Sequence, residues 1–215
     1  EKLRLGFLDY KLYEVYIYFV LLYTLTKELK AREEHTFFFN IFEDEAQYIT
    51  SFGDLIVTYD KVPKCKSWIS HGKTHIFNND KIDIPSGRPD FTFQLKKSNN
   101  IEKIIAVSDA KYRVSYRELS QSRFKILGYM HEYNVPVGAL FYDPTLIELV
   151  EDEDKEAMDH IRFLKDVSKT SGIAITDSDR IFFIIPLRPM KHTDLVKSRN
   201  YPVLCFFIDS TLKHI

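Results

Sequence analysis

The sequence is poor in the residues that stabilise small secreted domains or mark long loops. It contains two cysteines, seven glycines and eight prolines among 215 residues. Cys65 and Cys205 are too few and too far apart for a disulfide framework, so we expect a reduced, intracellular protein. No segment has the pattern of a signal peptide. The most apolar run, residues 15–25, is about half of the ~20 residues that a membrane-spanning helix needs, so we expect no membrane association.

An excess of one charge sign is also absent. Thirty basic and thirty-one acidic residues give a net charge of −1, which does not indicate a wholly basic nucleic-acid-binding protein, although a local basic cluster is sufficient to contact phosphates. The chain has no Gly-rich Walker loop, which excludes nucleotide hydrolysis by that route. It also lacks the four cysteines of an iron–sulfur nuclease.

What the chain has is a well-filled apolar composition, with 45% hydrophobic residues, seventeen Phe and thirteen Tyr. Large side chains therefore carry much of the expected burial. We expect one domain over residues 1–215, with a core at about 9–143 and an elaboration at 144–215. Because the chain begins at Glu1 without an initiator Met, we also expect it to be a portion of a longer protein.

Apolar periodicity and breaker residues predict a mixture of helices and strands. We expect helices at 9–32, 116–133 and from the acidic run 151–154 to 169, and strands at 36–42, 54–59, 66–70, 74–77, 137–142, 181–187 and 203–208. Residues 88–95 and 101–112 read as two strands joined by a polar turn, which is a hairpin.

This hairpin is expected to place three charged side chains on one face of the sheet. A turn centred between Asn99 and Asn100 places Asp90 opposite Asp109 on one face of the sheet, with Cβ atoms ~5 Å apart. Lys111 is two residues beyond Asp109 and therefore shares that face.

The apolar residues that precede Asp109 in the sequence indicate that its charge is paired or binds a metal ion. Residues 104–107 form a continuous apolar run, typical of a strand buried on both faces. Charges at the end of such a strand are costly unless they are paired or bind a metal. Two close carboxylates repel, and Mg²⁺ or Mn²⁺ relieves that repulsion while also holding a phosphate. The alternative is a structural Lys–Asp pair on a sheet surface.

Pro89-Asp90 followed by Asp109-Ala110-Lys111 resembles the signature of the PD-(D/E)XK nuclease superfamily. The resemblance implies an α/β, restriction-endonuclease-like core, with a mixed central sheet flanked by helices and extra β and helical elaborations. It implies that Asp90, Asp109 and the Ala110 carbonyl bind Mg²⁺, while Lys111 positions or activates the attacking water. Many members add a Glu from the first helix, which suggests Glu14 as a further metal-binding and catalytic residue.

Residues 107–113 and the following helix look like the nuclease subunit of McrBC-type restriction systems. Relatives often carry Gln-x-x-x-Tyr on that helix; here Lys125 stands at the Gln position and Tyr129 matches the Tyr. Arg113, Arg117, Arg123 and Lys125 form a basic cluster beside the carboxylates. We expect Arg113, Arg123 and Lys125, with Tyr129, to contact DNA, and Arg117 to lie on a solvated helix face. The alternative for such a cluster is a solvated helix face.

Three functions remain open. The first is a Mg²⁺- or Mn²⁺-dependent DNA endonuclease in a cytoplasmic, prokaryotic restriction or defence system, acting with a further domain, a motor subunit or a second copy of itself. The second is an inactive module of the same fold that docks onto a motor or recognition subunit. The third is a Mg²⁺ phosphoesterase acting on a small substrate. A zinc site at Cys65, His71 and His75 fits no common zinc motif.

Overall fold

The centre of the fold is a mixed sheet of eight strands. The computed structural model describes residues 2–32, 35–63, 67–68, 85–97, 100–112, 115–146 and 155–215. The strands are β1 (Thr36–Asn40), β2 (Glu45–Thr50), β3 (Gly53–Tyr59), β4 (Phe91–Lys97), β5 (Asn100–Lys111), β6 (Val137–Tyr142), β7 (Ile173–Asp177) and β8 (Arg180–Pro186). Their order in the sheet is β1-β2-β3-β4-β5-β6-β8-β7.

The sheet changes character at β5. Strands β1 to β5 form an antiparallel meander, whereas β5, β6 and β8 are parallel neighbours. Parallel strands need a crossover, and α2 (Tyr116–Glu132) supplies it between β5 and β6, while α3 (Lys155–Ser168) precedes β7 and β8. The carboxyl ends of the three parallel strands therefore lie at one edge, where Lys111, Tyr142 and Pro186 are aligned in register.

Helices cover both faces of the sheet. On one face, α1 (Lys2–Arg32) and α5 (Tyr201–Leu212) pack together, with the short α4 (His192–Leu195) beside them. On the other face, α2 and α3 bury a second apolar cluster. The protein is thus an α/β structure with a mixed sheet between helical layers. In the described part of the chain, no helix combines the length and apolarity needed to span a membrane.

Several predicted elements are confirmed, and one is wrong. The strand at 137–142 and the helices starting at 116 and ending at 32 agree with the structure. Residues 203–208, predicted as a strand, lie inside α5. Pro202 stands in the first turn of that helix, where a missing N–H costs nothing, and Leu204, Phe207 and Ile208 bury one helical face. A short apolar run cannot be assigned to helix or strand by periodicity alone.

Two strands went unpredicted. β2 buries only Ala46 and Tyr48, and β7 is largely exposed at the sheet edge, so neither carries a strong apolar signal. The predicted strand at 74–77 and the acidic run 151–154 lie outside the described residues, as does most of 66–70.

The hairpin register explains how Asp90 and Asp109 meet. At the turn, Lys97 pairs with Asn100, so the turn is one residue earlier than predicted. Two register shifts, which skip Ile105 and Glu102 on β5, then bring Phe91 opposite Ser108. Asp90 and Asp109 are the next residues beyond the Phe91–Ser108 pair and therefore face each other, as predicted. Shifts of this kind re-aim side chains and are frequent beside active sites.

Candidate metal and catalytic site

Asp90 and Asp109 reach the same point from different elements. Asp109 lies near the end of β5, in the middle of the sheet, and its side chain has no exposed surface. Asp90 immediately precedes β4, and its side chain is 13% exposed. The backbone N–H of Ala110 donates a hydrogen bond to Asp90 Oδ2 at 2.8 Å, which fixes that carboxylate beside the end of β5.

The ammonium group of Lys111 lies among the oxygen atoms of this site. Lys111 Nζ forms an ion pair with Asp109 Oδ2, lies 3.6 Å from Asp90 Oδ2 and donates to the Ala110 carbonyl oxygen at 3.2 Å. It also donates to the Tyr10 hydroxyl at 3.1 Å. One positive centre is thus in contact with, or close to, all three oxygen groups that the sequence resemblance assigns to a metal ion.

Burial and neighbouring charges shift the pKa values of Asp90 and Lys111. Burial, followed by the charge of Asp109, raises the pKa of the Asp90 carboxyl well above its ordinary value, although Lys111 and the Ala110 N–H act in the opposite direction. Burial alone would lower the pKa of Lys111, but the carboxylates of Asp109 and Asp90 outweigh it and raise that pKa. Two carboxyl groups at one buried point need positive charge or a shared proton.

Asp109 is fully buried and lies among three other ionisable groups. The Asp90 carboxyl and the Lys111 ammonium are both within hydrogen-bonding reach of its carboxylate. Lys125 Nζ, on α2, lies 3.5 Å from Asp109 Oδ1, opposite the contact with Lys111. Asp109 is therefore held by ionisable groups from several elements, and a buried carboxylate in such surroundings is frequent at functional sites.

A cleft opens beside the two lysines that contact Asp109. Its volume is about 440 Å³, and its described lining is Tyr10, Lys111, Glu118, Gln121, Ser122 and Lys125. The Lys125 side chain is 46% exposed. A ligand that enters this cleft therefore meets two ammonium groups and the carboxylate of Glu118.

Glu14 is buried rather than solvated. Its side chain is 2% exposed, and its Oε2 accepts hydrogen bonds from Lys11 at 2.8 Å and from the Tyr59 hydroxyl at 2.6 Å. Tyr59 ends β3, so Glu14 faces the sheet. Within the described residues, no group of three or more His, Cys, Asp and Glu side chains is close enough to hold a metal ion, so Glu14 does not join Asp90 and Asp109 in one cluster.

Two neighbours of the site escaped the sequence reasoning. Tyr10 contacts Lys111 and stands one helical turn before Glu14, so the i, i+4 relation on α1 was a usable signal. Asp60 follows β3, and its backbone N–H donates to the Asp90 carbonyl at 2.7 Å. Asp60 also pairs with Lys11 and Arg88. The Asp60–Asp90 hydrogen bond joins the ends of neighbouring strands that are far apart in the sequence, and no local pattern predicts it.

The predicted DNA-binding residues separate in the structure. Lys125 joins the carboxylate site, whereas Arg123 turns to α3 and contacts His160 Nδ1 at 3.0 Å. Tyr129 is buried, and its hydroxyl donates to the Arg88 carbonyl at 3.0 Å. Arg113, like the alternative zinc residues Cys65, His71 and His75, lies outside the described residues.

The donor set suits a hard divalent cation. Two carboxylates and one carbonyl leave coordination positions for water, which is how Mg²⁺ commonly binds in proteins. The position of the Lys111 ammonium, in contact with the same oxygen atoms, marks the point where positive charge is stabilised. Asp90, Asp109 and the Ala110 carbonyl would hold such an ion, and Lys111 would have to move away from those oxygen atoms, because the two positive charges repel each other.

No known protein family, curated protein or solved structure matches this chain.

Proposed function

We propose that this protein is a Mg²⁺- or Mn²⁺-dependent endonuclease that hydrolyses phosphodiester bonds of DNA. The observation that carries the proposal is the convergence of Asp90 Oδ2, Asp109 Oδ2 and the Ala110 carbonyl on one positive centre, Lys111 Nζ. Each of these groups was singled out from the sequence motif. A buried carboxyl pair, in which burial raises the pKa of Asp90, beside an open cleft is a common property of catalytic sites.

The order of elements around the site supports a restriction-endonuclease-like core. Helix α1 precedes the antiparallel strands β3, β4 and β5, and α2 then leads to β6, parallel to β5. This is the sequence of elements that the motif resemblance implies. The motif residues stand at the start of β4 and the end of β5, which is where that core would require them.

The reaction is an attack of water on phosphorus. The bond from phosphorus to one ester oxygen breaks, the leaving oxygen takes up a proton, and the products are a phosphate monoester and a hydroxyl. Bound Mg²⁺ supplies Lewis-acid polarisation of a phosphoryl oxygen. Lys111, displaced from the carboxylates, orients the water and stabilises the charge that develops on phosphate oxygens. Lys125 holds a second phosphate oxygen at the cleft.

Plasmid nicking tests this proposal. Supercoiled plasmid is incubated with wild-type protein, with Lys111→Ala and with the control Lys96→Ala. Lys96 lies at the hairpin end of β4, about 20 Å along the strand from Asp90. We expect Mg²⁺- or Mn²⁺-dependent nicking by wild type and the control, and a loss of at least about 100-fold in Lys111→Ala. Equal nicking by all three proteins would indicate a contaminating nuclease and reject the proposal.

The second candidate is an inactive module that keeps this fold and docks onto a motor or recognition subunit. It is favoured by one observation, since Lys111 and Lys125 already neutralise Asp109 without a metal ion. The two candidates differ in metal affinity. A structural ion pair binds Mn²⁺ no better than exposed carboxylates do, whereas the nuclease binds it at Asp90 and Asp109.

A partner chain is compatible with the nuclease as well. The basic cluster at the site is modest, and a few phosphate contacts give weak, salt-sensitive binding, since each neutralised phosphate contributes about 0.9 to the slope of log K against log salt. We therefore expect the chain alone to bind short duplex DNA weakly and with little sequence preference.

A further inference from the structure

A second cleft lies at the same edge of the sheet as the carboxylate site. Its volume is about 660 Å³, and it opens between the end of α3 and the end of β8. Among the described residues that line it, four are basic, Lys165, Lys169, Arg188 and Arg199, and none is acidic. The carboxyl edge of parallel strands is where α/β proteins commonly bind ligands.

Two of these cations have structural partners. Lys169 forms an ion pair with Asp166 at 2.7 Å. Arg199 donates to the carbonyl oxygens of Lys169 and Ser168, which are free at the end of α3. The presence of Lys169 and Arg199 is therefore explained without a ligand.

The other two have no such explanation. Lys165 and Arg188 are exposed, and neither forms an ion pair with any described residue. Beside them, Ser198 Oγ is buried and has no hydrogen-bond partner within the described residues. Among the described acidic residues, Asp166 lies on the same helix as Lys165 and pairs with Lys169; the hydrogen bond and charge of Lys169, and then the charge of Lys165, lower the pKa of Asp166. Asp143 Oδ1 accepts hydrogen bonds from Thr145. The cleft thus offers an anion two cations that form no ion pair with a described residue, together with a hydroxyl.

The distance to the carboxylate site suits a polymer. Lys111, Tyr142 and Pro186 are aligned across β5, β6 and β8, and Pro186 lines the second cleft. Two strand spacings separate Lys111 from Pro186, or about 10 Å. That distance is roughly three base-pair steps along the axis of duplex DNA.

We propose that this second cleft binds a backbone phosphate of the DNA substrate, with Lys165 and Arg188 as charged contacts and Ser198 as a neutral donor. The inference rests on the proposed nuclease function, because it assigns the cleft to the strand that is cut. A free phosphate compound has the same chemistry and is distinguished below.

The experiment measures binding rather than cleavage. Fluorescence anisotropy with a labelled short duplex, in EDTA and over a series of salt concentrations, compares wild type with Lys165→Gln/Arg188→Gln. We expect affinity to fall roughly tenfold or more. The slope of log K against log salt should fall by roughly 2, since each lost phosphate contact removes about 0.9.

A matched control removes the same charge elsewhere. Lys30→Gln/Lys96→Gln also deletes two cations, but Lys30 stands on α1 about 24 Å beyond Glu14, and Lys96 stands at the hairpin end of β4. This control should keep the wild-type slope. If both double variants change the slope equally, the effect is net charge alone, and the proposal is rejected. If the double variant fails to fold, the single Lys165→Gln must still lower the slope by about 0.9.

Calorimetric titration with inorganic phosphate and with a mononucleotide separates the two sources. Tight mononucleotide binding that Lys165→Gln/Arg188→Gln abolishes, together with an unchanged DNA slope, overturns the polymer assignment. The outcome is also independent of catalysis. A slope change without plasmid nicking supports phosphate binding by the second cleft and rejects the proposed nuclease function. Nicking without a slope change supports the nuclease function and rejects phosphate binding by this cleft.

Discussion

Replacing Asp90 with Asn should stabilise the metal-free protein at neutral and alkaline pH. In the folded chain, burial and the charge of Asp109 raise the pKa of Asp90 from 3.8 to about 8. A raised pKa means that the fold prefers the protonated acid, so stability is lost as pH rises from about 4 through about 8. Asn removes the ionisation, while its amide oxygen can still accept the Ala110 N–H.

The magnitude follows from the interval over which the unfolded carboxyl is ionised. At pH 7 the penalty extends from pH 3.8 to 7, and each unit corresponds to about 1.4 kcal/mol, which gives an upper value of about 4 kcal/mol. Relaxation and water entry offset part of such penalties, so we expect Asp90→Asn to raise the free energy of unfolding by about 2–4 kcal/mol at pH 7. The gain should vanish near pH 4.

Urea unfolding in EDTA, at several pH values between 4 and about 8.5, measures this difference. Asp159→Asn, an exposed aspartate on α3 that is paired with Arg162, is the control and should change stability by less than about 0.5 kcal/mol. Adding Mn²⁺ at a thousandfold its Kd should cancel or reverse the difference between wild type and Asp90→Asn, because it stabilises the wild type by about 4.1 kcal/mol. A variant less stable than wild type at pH 8 in EDTA would refute the reasoning.

Three further results are expected. Metal affinity should rise up to about tenfold per pH unit below pH 8 and then level off, because Asp90 has a raised pKa and the cation must displace its proton. Calorimetry in buffers of different ionisation heat tests this, and an affinity that does not depend on pH contradicts it. Glu14→Gln should lower nicking while the circular dichroism spectrum is kept, because Glu14 ties α1 to Tyr59 beside the site; an unchanged rate would limit Glu14 to packing. Gly172→Ala should lower the free energy of unfolding by about 1–3 kcal/mol, since Gly172 has a φ of +123°. Gly128 lies at an exposed position of helix α2 with open space at its Cβ, so Gly128→Ala should raise the free energy of unfolding by about 0.5–1 kcal/mol. Urea unfolding that showed the opposite order would contradict the backbone assignment.

Sequence reasoning located the carboxylate pair through a partly wrong premise. The turn lies one residue earlier than predicted, and two register shifts on β5 restore the pairing near Asp109. Shifts of that kind depend on packing across the sheet, and the local pattern of β5 does not reveal them. The face shared by Asp109 and Lys111 was safe to predict, because it depends only on the two-residue strand period.

Long-range contacts were the least predictable part. The Lys125–Asp109 ion pair joins α2 to β5, and the Tyr10–Lys111 contact joins α1 to the same strand. Both depend on how helices settle on the sheet. Residues 203–208 show the related difficulty, because an apolar run buried on one side by the sheet and on the other by α1 has the composition of a strand.

The account requires that Asp90 and Asp109 hold a divalent cation together with the Ala110 carbonyl. Electron paramagnetic resonance of Mn²⁺, titrated at pH 8 into wild type and Asp109→Asn, counts the bound ion without depending on DNA or a partner chain. We predict that wild type removes Mn²⁺ from the free signal and that Asp109→Asn, with its fold verified by circular dichroism, binds at least about tenfold more weakly. Equal Mn²⁺ binding by the two proteins would contradict the account.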